Sequence, residues 1–177
     1  MTVRFDRAPL RNRSEREEML VLLEAGFAAV DPARLVTSAL SAEGDAVRVV
    51  DERLSAGRAS TWVLAIGKAA APMARAAEQV LGERFAGGLA VAPHGTVGSA
   101  GRVDLVQAGH PLPNAAGRAA CKRVDAWAGK VGRDVLVLCL LSGGGSALLA
   151  CPVPGVTVED LAAVTDGLLR SGASIDE

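Results

Sequence analysis

The sequence predicts an α/β domain in three layers, a mostly parallel sheet with helices on both faces. Three observations carry this expectation. Short apolar runs alternate with longer segments of helical character. Several runs, such as "TWVLAIG" (61–67), "GGLAVAP" (87–93) and "DVLVLCLL" (134–141), are apolar at nearly every position instead of every second one. A strand buried on both faces requires that. Aromatics form only 3% of the 177 residues, with no Tyr, so Ala, Val, Leu and Gly must fill the interior. Closely packed helix and sheet layers need small side chains where they meet.

The elements follow in order. Ser14 with Glu17 fits a capping box, and an amphipathic helix runs from there to about Val30. Asp31-Pro32 starts a second helix, "DPARLVTSAL", with Pro at its first position. Gly44 and Asp45 mark a turn before a short strand, "AVRVV". The buried strand 61–67 leads into the helix "KAAAPMARAAEQVLG", closed by Gly82. Strands 87–93 and "RVDLVQAG" (102–109) come next. "HPLPN" is a stiff loop, since two prolines fix its backbone, and Asn114 caps the helix "AAGRAACKRVDAWAGK". Strand 134–141 is the most apolar of all. A short helix "SALLA" follows the glycine run, and Thr157 with Asp160 caps the last helix, "VEDLAAVTDGLLRSG".

The chain has the length of one ordinary domain. With 19 basic and 20 acidic residues its net charge is −1, which offers no polyanion-binding surface, so nucleic acid is not an expected partner. No apolar run reaches the roughly 18 residues that span a bilayer. The first twenty residues lack the apolar core of a secretion signal, and the expected location is cytoplasmic. Cys121, Cys139 and Cys151 are odd in number and widely spaced, which argues against a disulfide framework and a zinc site. Cys139 reads as a small core residue.

Function is expected in the loops that follow strands, because open α/β sheets bind ligands beyond the carboxyl ends of their strands. Ser142-Gly143-Gly144-Gly145-Ser146 stands between a strand and a short helix. Glycines let consecutive N–H groups converge on an anion, a helix start adds positive charge, and the two hydroxyls can donate further bonds. A flexible turn is the plain alternative. Three adjacent glycines cost roughly 0.5–1 kcal/mol each relative to Ala, which a plain turn rarely needs. Known fingerprints fail: there is no Walker A lysine, and Leu148 occupies the position where both the dinucleotide motif and a nucleophile elbow need Gly. Lys68 follows Gly67 at a strand end, where a cation can neutralise a transferring phosphoryl group. The alternative is a solvated Lys at a helix start. His110 and Asn114 flank the proline-stiffened loop, and His110 can act as a base, orient a hydroxyl, or cap local carbonyls. His94 is a similar loop histidine beside Gly95.

The segments "AIGKAAAPMARAAE", "GHPLPNAAG" and "LLSGGGSALLACPVPGVTVEDL" with "LLRSGASIDE" closely resemble the type-2 glycerate kinases, the glycerate 2-kinases with a C-terminal MOFRL domain. The resemblance covers essentially the whole chain, with the motifs in the family's order. It implies a Rossmann-like α/β domain and ATP-dependent phosphorylation of D-glycerate at its 2-hydroxyl with Mg²⁺. It implies Lys68 as the catalytic lysine. It also implies the 142–146 loop as the phosphate- or substrate-binding loop, with His110 and Asn114 beside it. No metal ligand can be assigned from the sequence.

Two other readings stand beside this one. Family members are often labelled hydroxypyruvate reductase, but the NAD(P) fingerprint is missing; a non-catalytic α/β module for a nucleotide or phosphorylated metabolite is the other. Relatives continue through an Asn-x-x-Arg-Lys segment into a C-terminal domain. Residues 1–177 therefore read as an N-terminal α/β domain, incomplete relative to the family and expected to be inactive alone. The apolar helix "EEMLVLLEAGFAAV" could pack on its own domain or build a homodimer.

Overall fold

In the computed structural model, residues 4–6, 14–55, 61–97, 100–132 and 135–174 are described. Two helices open the chain, α1 (Ser14–Ala29) and α2 (Pro32–Ala39). They are followed by three short strands, β1 (Leu40–Glu43), β2 (Ala46–Val49) and β3 (Glu52–Ser55), paired antiparallel in that order. The main body then runs β4 (Thr61–Ile66), α3 (Ala70–Leu81), β5 (Phe85–Pro93), β6 (Asp104–Ala108), α4 (Ala115–Ala128), β7 (Leu136–Leu141), α5 (Gly145–Leu148) and α6 (Val158–Ser171).

Strands β4 to β7 form one fully parallel sheet in the order β6-β5-β4-β7. One face is covered by α3, whose Ala70, Ala74 and Ala77 are fully buried in a cluster with Val63, Ala65, Ala90 and Ala92. The opposite face carries α4 and α5, with Ala120 and Leu148 against Ile66, Val91 and Ala108. This is the expected three-layer α/β fold. Alanine on alanine brings helix and sheet backbones close, which explains why so few aromatics suffice.

Strand order sets the place for a ligand. From β4 the chain moves through β5 to β6 on one side, then returns to place β7 on β4's other side. The sheet therefore changes direction between β4 and β7. The connection after β4 leads to α3 on one face, and the one after β7 leads to α5 on the other. A crevice opens where neighbouring strands send their chains to opposite faces.

The caps agree with the sequence. Asp31 Oδ1 accepts the Arg34 N–H at 3.0 Å. Asn114 Oδ1 accepts from Gly117 N at 3.1 Å. Thr157 and Asp160 form the full capping box. The side chain of Ser14, expected to cap α1, lies outside the described residues.

Other expectations are corrected. The sequence reading places one strand before residue 56, whereas the described residues form three there; β1 takes over the end of the expected second helix because Leu40 pairs with Val49. Strand β7 lies at the sheet edge, so Cys139 is exposed instead of being a core residue. Cys121 and Cys151 form a disulfide, contrary to the expectation that the cysteines build no disulfide framework. They are 30 residues apart in sequence, but α4 packs on α5 and brings their Cα atoms to 5.5 Å. Helix α1 leaves Met19, Val21, Leu22, Leu23 and Phe27 exposed, so its apolar residues are not gathered on a buried face. Among the described residues, no helix is long and apolar enough to cross a membrane.

Candidate functional site

The site occupies the crevice between the carboxyl ends of β4 and β7. Strand β4 ends at Ile66 and turns through Gly67, Lys68 and Ala69 into α3. Strand β7 ends at Leu141 and turns through Ser142 and the glycines into α5. These turns are stitched together. The Lys68 N–H donates to the Gly143 carbonyl at 3.0 Å, and the Ser142 N–H to the Ile66 carbonyl at 2.9 Å. The Ser142 hydroxyl accepts the Ala69 N–H at 3.0 Å and donates to the Ile66 carbonyl at 3.3 Å.

Two glycines are demanded by this geometry. Gly67 has φ +123°, and a Cβ on it would overlap the hydroxyl and carbonyl of Ser142. Gly144 has φ +91°, a region L side chains rarely adopt. A Cβ on Gly144 would stand 2.6 Å from His110 Cδ2, 2.7 Å from His110 Nε2 and 3.6 Å from Lys68 Cε. The imidazole and the end of the lysine chain thus both lie against Gly144. The structure brings Lys68, His110 and the triple-glycine bend into one group, although they follow three different strands.

The remaining predicted residues have distinct placements. Gly143 is exposed, with open space where a Cβ would project. Gly145 begins α5 and rests near Ile66 Cγ2. Ser146 is exposed on the first turn of α5. Asn114 serves the fold locally, since its Oδ1 caps α4 and also accepts the Gly109 N–H at 3.2 Å, which fixes the turn that presents His110. His94 sits exposed at the end of β5, on the same rim, with its N–H on the Ala108 carbonyl at 2.9 Å.

Helix α5 is fixed at its far end by Leu148, fully buried against Ile66, Val91, Ala108 and Ala120. Burial of one leucine contributes about 1.5–3 kcal/mol, enough to seat a one-turn helix that could not persist alone. The Cys121–Cys151 disulfide ties the following segment to α4. The bend is thereby held at both ends. An apolar hollow of about 320 Å³ adjoins it, lined by Pro32, Leu35, Val36, Ala69, Met73, Leu141 and Ser142. Its lining offers little to a phosphate, so an anion is better matched to the bend and Lys68.

Sequence reasoning missed the pairing of Ser142 with Gly67 and that of Cys121 with Cys151. The signal for the first lay in both motifs at once, a glycine where one strand ends and a small hydroxyl where the other does. The cysteine spacing carried no signal.

Comparison with known proteins places this geometry. Residues 18–177 match the family model described as a domain of unknown function, DUF4147. The chain is 36% identical to the glycerate 2-kinase of Pyrococcus horikoshii over 92% of its own length and 36% of that protein's. A crystal structure of a P. horikoshii protein superposes with a TM-score of 0.78 at 35% identity, covering 93% of this chain and 37% of that one. The crystal structure of a glycerate kinase from Thermotoga maritima gives 0.71 at 30% identity, covering 92% and 36%. The chain thus spans little more than a third of each of these relatives.

Proposed function

From the premise that this chain belongs to the DUF4147 family and corresponds to the N-terminal portion of a type-2 glycerate kinase, we propose that it provides one wall of a site for phosphoryl transfer from ATP to the 2-hydroxyl of D-glycerate. The observation that carries this reading is the packing of His110 and Lys68 against Gly144, at the point where the parallel sheet changes direction. That point is where open α/β sheets bind their ligands.

In the proposed reaction the bond from the γ-phosphorus to the ADP oxygen breaks, a bond to the glycerate oxygen forms, and the hydroxyl proton leaves. Phosphoryl transfer asks the protein for position and charge more than for covalent chemistry. The Lys68 ammonium lies where it can neutralise phosphoryl oxygens. Backbone N–H groups of the bend orient a phosphate or the glycerate carboxylate. The His110 imidazole is the basic group beside the bend and can take or orient the hydroxyl proton. Mg²⁺ would travel with the ATP phosphates; among the described residues no three His, Cys, Asp or Glu side chains gather to hold an ion, and no protein step runs through it.

Charge from other sides is needed as well. The relatives are nearly three times as long as the matched region, so the opposite wall belongs to the rest of their fold. Turnover by these 177 residues alone is therefore expected to be negligible, whereas ligand binding is retained.

Titration calorimetry of the chain with ATP and with D-glycerate, wild type against Lys68→Ala, tests the proposal. At least one ligand should bind in the millimolar range or better. The Lys68→Ala variant should weaken it about tenfold with an unchanged melting temperature, since Lys68 is exposed. Binding of neither ligand, or equal binding by both proteins, would refute the assignment. The hydroxypyruvate reductase reading is tested by NADH fluorescence, which should not respond to the chain.

A further inference from the structure

We infer that Ser142 is a positioning residue whose hydroxyl fixes Lys68 against the triple-glycine bend and makes no contact with the ligand. This rests on the reading that the bend and Lys68 together hold a phosphate-bearing ligand. The hydroxyl has one proton, and that proton goes to the Ile66 carbonyl at 3.3 Å. Its lone pair receives the Ala69 N–H at 3.0 Å. Both partners lie on the other strand's turn, more than seventy residues earlier in the chain.

The need for such a clamp follows from the topology. Strands β4 and β7 stay in register up to Ile66 and Leu141. Beyond them the chains diverge, one toward α3 and the other toward α5, on opposite faces of the sheet. Lysine 68 stands at the start of this divergence. Its own N–H is held by Gly143, and the residues on either side of it, Gly67 and Ala69, both meet Ser142. Gly67 and Ser142 form a matched pair, since any side chain at 67 would occupy the space of the hydroxyl. The position of residue 68 relative to the bend is therefore set by the serine.

Two variants of the whole chain test this, Ser142→Ala and Gly67→Ala. Ser142→Ala removes the clamp by deleting the hydroxyl. Gly67→Ala keeps the hydroxyl but displaces it together with the Ser142 carbonyl, both of which the new Cβ would overlap. Amide hydrogen exchange, read by NMR, should show the Ala69 and Lys68 N–H groups exchanging at least tenfold faster in both variants, with β4 and β5 still protected. Inorganic phosphate is the binding probe, followed at the amides of residues 143–145, and its affinity should fall about tenfold in both. Weakened phosphate binding in Ser142→Ala with Ala69 still protected would overturn the inference in favour of a direct ligand contact. Unchanged affinity in either variant, with the sheet intact, would overturn it as well. If phosphate shifts no amide of the bend in the wild type, the reading of the site falls, while the exchange rates still decide whether Ser142 sets the turn.

Discussion

Adjacent glycines in the bend should respond unequally to the same substitution, and the structure says by how much. Gly144→Ala places a methyl group where φ is +91° and where His110 Cδ2 lies 2.6 Å from the new carbon. The backbone conformation alone costs about 1–2 kcal/mol for an L residue. The imidazole must also retreat by about 0.8 Å to restore an ordinary carbon–carbon contact. Gly143→Ala adds the same methyl group where nothing lies within 4 Å and where the backbone is not left-handed.

Thermal unfolding followed by circular dichroism should place Gly144→Ala about 2–8 °C below the wild type, given roughly 2–4 °C per kcal/mol for a chain of this size. Gly143→Ala should melt within about 1 °C of it. Phosphate affinity at the bend should drop tenfold or more in the first variant and stay within about twofold in the second. Equal behaviour of the two variants would refute the reasoning, because it would mean that the bend is a plain flexible turn.

Three further outcomes are expected. Replacing Cys121 and Cys151 by Ser should cost about 3–4 kcal/mol, the loop-closure value for a 30-residue separation; identical melting with and without reductant would contradict it. Under non-reducing conditions thiol titration should find one reactive group, the exposed Cys139. Glu78, on α3, anchors the turn before β6. Burial raises its pKa, but the Arg102 side-chain and backbone hydrogen bonds outweigh that and leave it below its ordinary 4.5. A lowered pKa gives stability that is present above pH 4.5 and fades as the pH falls through the folded value. Urea unfolding should therefore show Glu78→Gln weaker by about 1 kcal/mol at pH 7, with the gap to the wild type narrowing as the pH falls below 4.5; the gap is small because the Arg102 partner is largely exposed. A gap that does not narrow on acidification would mean that packing, not charge, holds this turn.

The parallel sheet was legible because buried strands leave a local mark. Runs such as 61–67 and 87–93 are apolar at nearly every position, and each ends in Gly or Pro. The antiparallel sheet was not, because its strands are four residues each and Arg48, Glu52 and Arg53 interrupt their apolar content. Strand β7 shows the limit of composition as a guide. "LVLCLL" has the residues of an interior strand, yet it forms an edge with Cys139 and Leu141 exposed. Apolarity shows that a segment suits burial, but position in the sheet depends on which neighbours pair with it. The disulfide was illegible for the same reason: it depends on α4 meeting α5, which no spacing encodes.

The site was legible as a set of parts and illegible as a division of labour. Glycine before Lys68, the glycine triplet and the proline-stiffened His110 loop are each local features, and their joining at one sheet edge follows from a parallel sheet. Polar atoms are another matter, since a hydroxyl or amide that looks free in sequence can already be bonded in the fold. Two of the residues expected to bind ligand, Ser142 and Asn114, have oxygens engaged by backbone N–H groups of the same chain. A ligand arriving at the bend would have to break those bonds to use them, leaving buried donors unmet at a cost of about 1–3 kcal/mol each. The groups that can act without that cost are the backbone N–H groups of Gly143 to Gly145, the Lys68 ammonium, the Ser146 hydroxyl and the His110 ring. That shorter inventory, mostly backbone donors with one exposed cation, is suited to an anion defined by charge and size. Under the proposed function, discrimination between glycerate and similar hydroxy acids would then come from contacts on the facing side of the crevice.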